Sequence, residues 1–236
     1  MAESFTFDAI AHVQCPYKQK FGIPRQPGLA KSVTADIKIH SDYSSSDLVR
    51  GLEGCSHLWL LFVFSANMEQ GWKPLVRPPR LGGNKKIGVL ATRSPFRPNP
   101  IGLSAVKLLN ISDDKGHITL TVEGADLLDG TPIIDIKPYV PYSDQLADAT
   151  YPMTEPSVKL SLPVIYSEQA QRACIAYTQK HPIPLQQQIE EILLCDPRPA
   201  YKKDTAERSY GIKIHNLDII WRITSDAIYV DEINVA

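Results

Sequence analysis

The sequence predicts a mainly β protein: an antiparallel barrel, closed or nearly closed, followed by a small α/β appendage. Three observations carry this prediction. Short stretches that alternate apolar and polar residues recur through the first 142 residues, separated by glycine, proline, asparagine and aspartate. Helical periodicity is scarce over the same span, which favours a sheet closed on itself. After Tyr142 the pattern changes to helical spacing and then returns to strands at the C-terminus.

The segment VTADIKIH (Val33–His40) places Val33, Ala35, Ile37 and Ile39 on one face, as a half-buried strand does. HLWLLFVF (His57–Phe64) is apolar throughout, which suits a strand buried on both faces, although a short core helix fits as well. KIGVL (Lys86–Leu90) is strand-like. LSAVKLLNI (Leu103–Ile111) and HITLTVEG (His117–Gly124) flank SDDKG, whose turn formers and glycine suit a hairpin. PIIDIKPYVPY (Pro132–Tyr142) is a strand that its own prolines end.

Residues 143–165 are polar and interrupted by proline, and read as a linker. Ser167 is placed to cap a helix to Lys180, with Ala170, Ala173, Cys174 and Tyr177 at helical spacing. After HPIP, a second helix (Leu185–Cys195) presents Ile189, Ile192 and Leu193 as a narrow stripe, and DPRPAY stops it. YGIKIHNLDIIWRIT and AIYVDEINV close the chain as strands. The expected organisation is therefore a barrel domain over 1–142, a linker over 143–165 and an α/β domain over 166–236.

The 236 residues are 43% hydrophobic and 22% charged, enough for a true core. The four cysteines (Cys15, Cys55, Cys174, Cys195) lie apart, which argues against a zinc site or a disulfide framework and fits a reducing cytosol. No stretch is long and apolar enough for a bilayer span, and the N-terminal residues lack a signal-peptide pattern. The expectation is a cytoplasmic protein without membrane or metal.

A formal net charge of −1 conceals a strong asymmetry. Between Glu69 and Asp113 there is no acidic residue, while Lys73, Arg77, Arg80, Lys85, Lys86, Arg93, Arg97 and Lys107 all fall there. With those eight set aside, 17 basic residues remain against 26 acidic ones. Such an interval suits an anionic partner, or else is a solvated basic face balanced by the acidic remainder.

Several chemistries find no support. Ser104 lies in GLSAV, which lacks the second glycine of a nucleophile elbow. No HExxH or CxxC spacing occurs, and His57 opens an apolar run as a core or rim histidine would. No phosphate-binding glycine motif opens a helix; Gly82–Gly83 sits in a turn between strands.

What stands out is a set of stiff polar loops: FGIPRQPGL (Phe21–Leu29), VRPPRLGGN (Val76–Asn84), TRSPFRPNPIG (Thr92–Gly102) and LLDGTPIIDIKPY (Leu127–Tyr139). Each sets proline or glycine beside arginine or aspartate. They read as binding loops that lose little entropy when a ligand docks, or as tight turns with solvated charges.

TRSPFRPNPIGLS, PRQPGL, GLEGCSHLWLLFVF, RPPRLGG and DGTPIIDIKPY together closely resemble the TsaA-like family, and DPRPAY resembles the domain appended in its bacterial members. The resemblance spans nearly the whole chain. It implies a single-sheeted β-barrel that binds S-adenosylmethionine, works as a homodimer, and methylates N6 of threonylcarbamoyl-adenosine at position 37, beside the anticodon of threonine tRNAs. It also implies that the cofactor is held by Pro24, Arg25 and Gln26, by Ser65 and Ala66 at the strand end after FVF, by Arg93 and Leu103, and by Glu123, Gly124, Ala125 and Asp126.

Methyl transfer from a sulfonium to nitrogen is one in-line displacement, which needs alignment rather than metal or a covalent intermediate. A proline-stiffened loop holds alignment, and its arginines can engage a carboxylate or phosphate with bidentate geometry. Lys73, Arg77, Arg80, Lys85, Lys86 and Arg97, together with Arg198, Lys202 and Lys203 in or beside DPRPAY, are the residues expected to touch the tRNA anticodon region. Asp135 and Tyr139 are the candidates for a catalytic base, with turn capping as the ordinary role of such an aspartate. Tyr139 and Tyr142 are also candidate stackers on an unpaired base. Two other functions fit the same loops: a non-catalytic sensor of S-adenosylmethionine or another adenine ligand, and a methyltransferase acting on a small metabolite.

Overall fold

The structure, a computed structural model, describes residues 3–78, 85–151, 159–198 and 208–235. Six strands form a closed barrel in the order β1-β2-β7-β6-β3-β8, every neighbouring pair antiparallel. They are β1 (Ala11–Gln14), β2 (Thr34–Ile39), β3 (His57–Val63), β6 (Ile101–Asp114), β7 (His117–Glu123) and β8 (Pro132–Pro138). A two-stranded ribbon, β4 (Leu75–Val76) with β5 (Ile87–Gly88), projects between β3 and β6. The barrel expected from alternation is thus present. KIGVL contributes only β5 before turning into a 3-10 helix at Val89–Ala91.

Alternation explains the lining: Val13, Ala35, Ile37, Leu58, Leu60, Phe62, Val106, Leu120 and Ile133 are all buried. One expectation is corrected. HLWLLFVF is a strand, yet only Leu58, Leu60 and Phe62 are buried, and Trp59, Leu61 and Val63 lie half-buried on the outside. An antiparallel barrel has a single dry face, so an unbroken apolar run does not make the second face dry. Gly102 pairs with Phe62 across β6 and β3; a Cβ there would lie 2.2 Å from the phenyl ring. Only glycine lets that ring close over the strand.

A short helix, α1 (Pro141–Asp144), follows the barrel. The C-terminal unit is a four-stranded sheet in the order β10-β11-β12-β9, with β9 (Val164–Tyr166) parallel to β12 (Ile228–Val235). The expected linker therefore hands Val164 and Ile165 to a strand too short to show periodicity. YGIKIHNLDIIWRIT is a hairpin, β10 (Tyr210–Ile214) and β11 (Leu217–Ile223), turning at His215 with φ 55°. Helix α2 (Glu168–Lys180) starts as expected, with Ser167 accepting from the Ala170 amide at 3.0 Å. Helix α3 (Leu185–Leu194) buries Leu185, Gln188, Ile189, Ile192 and Leu193.

The two halves share one continuous core. Tyr17 bridges to Ile214, and the His215 amide donates to the Pro16 carbonyl at 2.8 Å. The appended unit is therefore docked on the β1–β2 connection. Among the described residues no helix is long and apolar enough to cross a membrane.

Candidate functional site

In an antiparallel barrel, successive connections leave from opposite ends unless strands are skipped. Here three connections leave from one end: β1–β2 (residues 15–33), β3–β6 (64–100) and β7–β8 (124–131). The stretches expected to bind cofactor, 24–26, 65–66, 93 and 123–126, all fall at that end. Topology therefore gathers segments spread over about half the chain.

Hydrogen bonds tie the gathered segments together. Arg93 Nη1 donates to Gln26 Oε1 at 2.7 Å. The Gly28 amide donates to the Gly124 carbonyl at 2.8 Å. Gly124 has φ 78°, and a Cβ on it would lie 2.9 Å from Gly28 Cα, so both the turn and the close approach require glycine. Lys20 Nζ donates to the Ala66 carbonyl at 2.7 Å, bringing Ser65–Ala66 against the same loop. Ser104, buried on β6, donates to Asp126 Oδ1 at 2.6 Å. Glu123 faces Lys107 at 3.8 Å.

Burial raises the Asp126 carboxyl above the usual aspartate range; the Ser104 hydrogen bond, a backbone hydrogen bond and the positive charge of Arg93 act the other way. Pro24, Gly124 and Ala125 are buried, whereas Arg25, Ser65, Ala66, Arg93 and Leu103 are exposed. An exposed guanidinium, a half-buried carboxylate, backbone near two glycines and an apolar Leu103 suit a zwitterionic amino-acid tail joined to a nucleoside.

The loop carrying Arg93 is braced internally as well as by proline. Arg97 Nη1 donates to the Thr92 carbonyl at 2.6 Å, and Thr92 Oγ1 donates to the Val89 carbonyl at 2.8 Å. Arg97, expected to touch tRNA, is half-buried and commits Nη1 to its own loop. Arg93 and Arg97 look alike in sequence and bond to different loops.

The other expected residues divide. Lys73, Arg77, Lys85 and Lys86 are exposed around the β4–β5 ribbon, with Lys73 Nζ 4.8 Å from the Phe96 ring centre. Arg80, Lys202 and Lys203 lie outside the described residues. Arg198 is only 8% exposed and grips Asp196 with two bonds, of 2.8 and 3.2 Å, so it does not offer a surface site for phosphate.

Tyr139 does not join the cluster. The seven residues of β8, at roughly 3.3 Å each, carry the chain about 20 Å to the far end of the barrel. There Tyr139 packs beside His57 and Trp59, and Tyr142 projects into solvent. Asp135 lies between the two ends. It pairs with Leu61, which pairs with Leu103, so all three share one outer row with Asp135 and Leu103 about 10 Å apart. Its carboxylate meets Lys137 at 2.7 Å.

Sequence reasoning missed Ser104 as a partner of Asp126, since a weak nucleophile motif says nothing about a carboxylate 22 residues away. It also missed Lys20, and Ser32 with Glu191 and Gln188. A lysine or serine in a loop carries no signal of a distant partner.

A family model described as the tRNA-methyltransferase O N-terminal domain matches residues 12–145, and one described as the TrmO C-terminal domain matches 159–236. The tRNA (adenine(37)-N6)-methyltransferase of Escherichia coli (strain K12) is 44% identical over 222 residues, covering 94% of each chain. A protein of Pyrococcus abyssi named "Probable S-adenosyl-L-methionine-binding protein" is 37% identical over 135 residues, 57% of this chain and 68% of that one. The crystal structure of TrmO from Pseudomonas aeruginosa superposes with a TM-score of 0.81 at 34% identity, covering 100% of this chain and 99% of that one. With both halves matched in order and the fold shared end to end, this chain belongs to the TrmO family.

Proposed function

We propose that this protein methylates N6 of adenosine 37 in tRNA with S-adenosylmethionine, and that its acceptor is threonylcarbamoyl-adenosine in threonine tRNAs. The observation that carries this reading is the joining of three connections at one barrel end through Arg93–Gln26, Gly28–Gly124 and Ser104–Asp126. The relatives' names and the shared family support the reaction and its cofactor.

Bound at this end, the cofactor supplies a methyl group activated on a sulfonium. Arg93 would engage its carboxylate with charge-assisted hydrogen bonds, and Asp126 would accept from its ammonium or ribose hydroxyls. Gly28 and Gly124 let backbone approach closely. Leu103 offers an apolar wall. Asp135, on the same outer row, is the candidate to take the proton that N6 loses, and its bond to Lys137 must loosen for that role.

Lys73, Arg77, Lys85 and Lys86 draw in the phosphates of the anticodon stem-loop, with the chain acting as a homodimer. The test is nucleoside mass spectrometry of threonine tRNA, with and without threonylcarbamoylation, after incubation with protein and S-adenosylmethionine. A 14-dalton gain on the modified nucleoside, about one methylene, is expected. Methylation of unmodified adenosine alone would overturn the acceptor, and no methylation of either would overturn the activity.

A further inference from the structure

We propose that Glu191 and Gln188 of α3 are positioning residues, which hold the β1–β2 loop so that Pro24, Arg25 and Gln26 meet the cofactor. The inference rests on the proposed role of that loop.

The barrel closes without help from the C-terminal domain, since its ring of strands is complete by β8. The long β1–β2 connection needs a different support, and α3 supplies it. Glu191 and Gln188 are three residues apart and so share a helix face. Glu191 Oε2 accepts from both the Ser32 amide and the Ser32 hydroxyl, each at 2.8 Å. Gln188 Nε2 donates to the Ser32 carbonyl at 3.1 Å. One residue of the loop is thus held by three bonds from one helix. Gln188 is 2% exposed, and its side-chain oxygen is fixed by His215 at 2.9 Å.

A second tie lies at Arg25 itself, whose guanidinium donates to the Arg198 carbonyl at 3.2 Å. Arg198 and Asp196, both buried, form the ion pair that shapes the chain there. Between the two ties a cleft of about 170 Å³ separates Lys20–Arg25 from Ile192, Cys195 and Pro197. Phe21, Ile23 and Ala30 pack the loop against the shared core, and the polar bonds at the edges of the cleft add direction to that packing. From Ser32 the order passes to Gly28, bonded to Gly124, and to Gln26, bonded to Arg93.

The experiment is calorimetric titration of S-adenosylmethionine into the full chain, alongside KM and kcat. Ser32→Ala and Glu191→Ala should each raise the cofactor Kd and KM roughly tenfold, the scale of one charge-assisted hydrogen bond, with kcat at saturating cofactor changed less than about twofold. Glu191→Gln should restore affinity, because its amide oxygen accepts the same two bonds. The Ser32→Ala/Glu191→Ala pair should be no worse than Glu191→Ala alone, which already removes both bonds. Unchanged Kd in folded Ser32→Ala and Glu191→Ala proteins would overturn the inference. A Gln26→Ala control separates the failures: if it weakens binding while the α3 variants do not, the loop binds cofactor and only the clamp is wrong. If Gln26→Ala also leaves Kd intact, the loop is not the cofactor's, and both statements fall.

Discussion

Arg93 and Gln26 meet at 2.7 Å across 67 residues of sequence, one from the proline-rich loop before β6 and the other from the loop before β2. This bond makes the two loops one wall. It also leaves further donors of an exposed guanidinium directed by a partner that fixes its plane.

Replacing Arg93 with alanine should lower methylation at limiting cofactor about 10- to 150-fold while leaving the fold intact. The residue is exposed, so its loss opens no cavity, whereas removing a charge-assisted hydrogen bond weakens cofactor binding by about 1.5–3 kcal/mol. Circular dichroism with cofactor titration checks this, and normal turnover by the folded variant would contradict it.

Ser104→Ala should act through Asp126. Removing the hydroxyl takes away the foremost influence that lowers the Asp126 carboxyl, so its already raised pKa climbs further. If the ionised form binds cofactor, affinity rises with pH as Asp126 deprotonates, and in Ser104→Ala that rise should move to higher pH. Ser104→Thr, which keeps the hydroxyl, should restore the wild-type profile. Titrations from about pH 4 upward measure it.

His215 predicts an acid-side loss of stability. Burial, with Lys18 and His181 nearby, lowers its pKa from 6.5 to about 4. A histidine depressed on folding binds its proton more readily in the unfolded chain. Its neutral form therefore contributes stability fully above pH 6.5, and that contribution is lost as pH falls towards 4. Melting temperature against pH should fall more steeply over this window in wild type than in His215→Gln.

The exposed lysines and arginine of the ribbon should govern tRNA binding and spare the cofactor. Replacing Arg77 and Lys86 with alanine should raise KM for tRNA and flatten the log–log salt dependence by about 0.7–0.9 for each phosphate no longer neutralised. The cofactor Kd should stay within about twofold of wild type. Coincident salt slopes for wild type and variant would mark the basic interval as a solvated face.

How much of this was legible in the sequence depends on how far each signal reaches. Alternation in Val33–His40 and His117–Gly124, and the hairpin turn that joins the latter to Leu103–Ile111, located strands correctly, because burial on one face and turn chemistry leave local traces. β1 and β9, of four and three residues, leave none. The segments expected to hold cofactor came from motif resemblance, and the barrel brings them to one end. Tyr139 misled because it is close to the DGTP turn in sequence, and an extended strand converts sequence closeness into distance. Ser32 and Glu191 were invisible, since no local pattern records a partner 159 residues away.

The parity of the barrel has a practical corollary. With the site connections confined to one rim, the β6–β7 turn at Lys115–Gly116 lies on the other. Both residues are exposed, and exposed turns of this kind are where a chain is best opened, extended or fused. New termini or a tethered reporter placed there would leave the rim proposed to hold the cofactor unobstructed, so a handle and the chemistry can occupy opposite ends of one barrel.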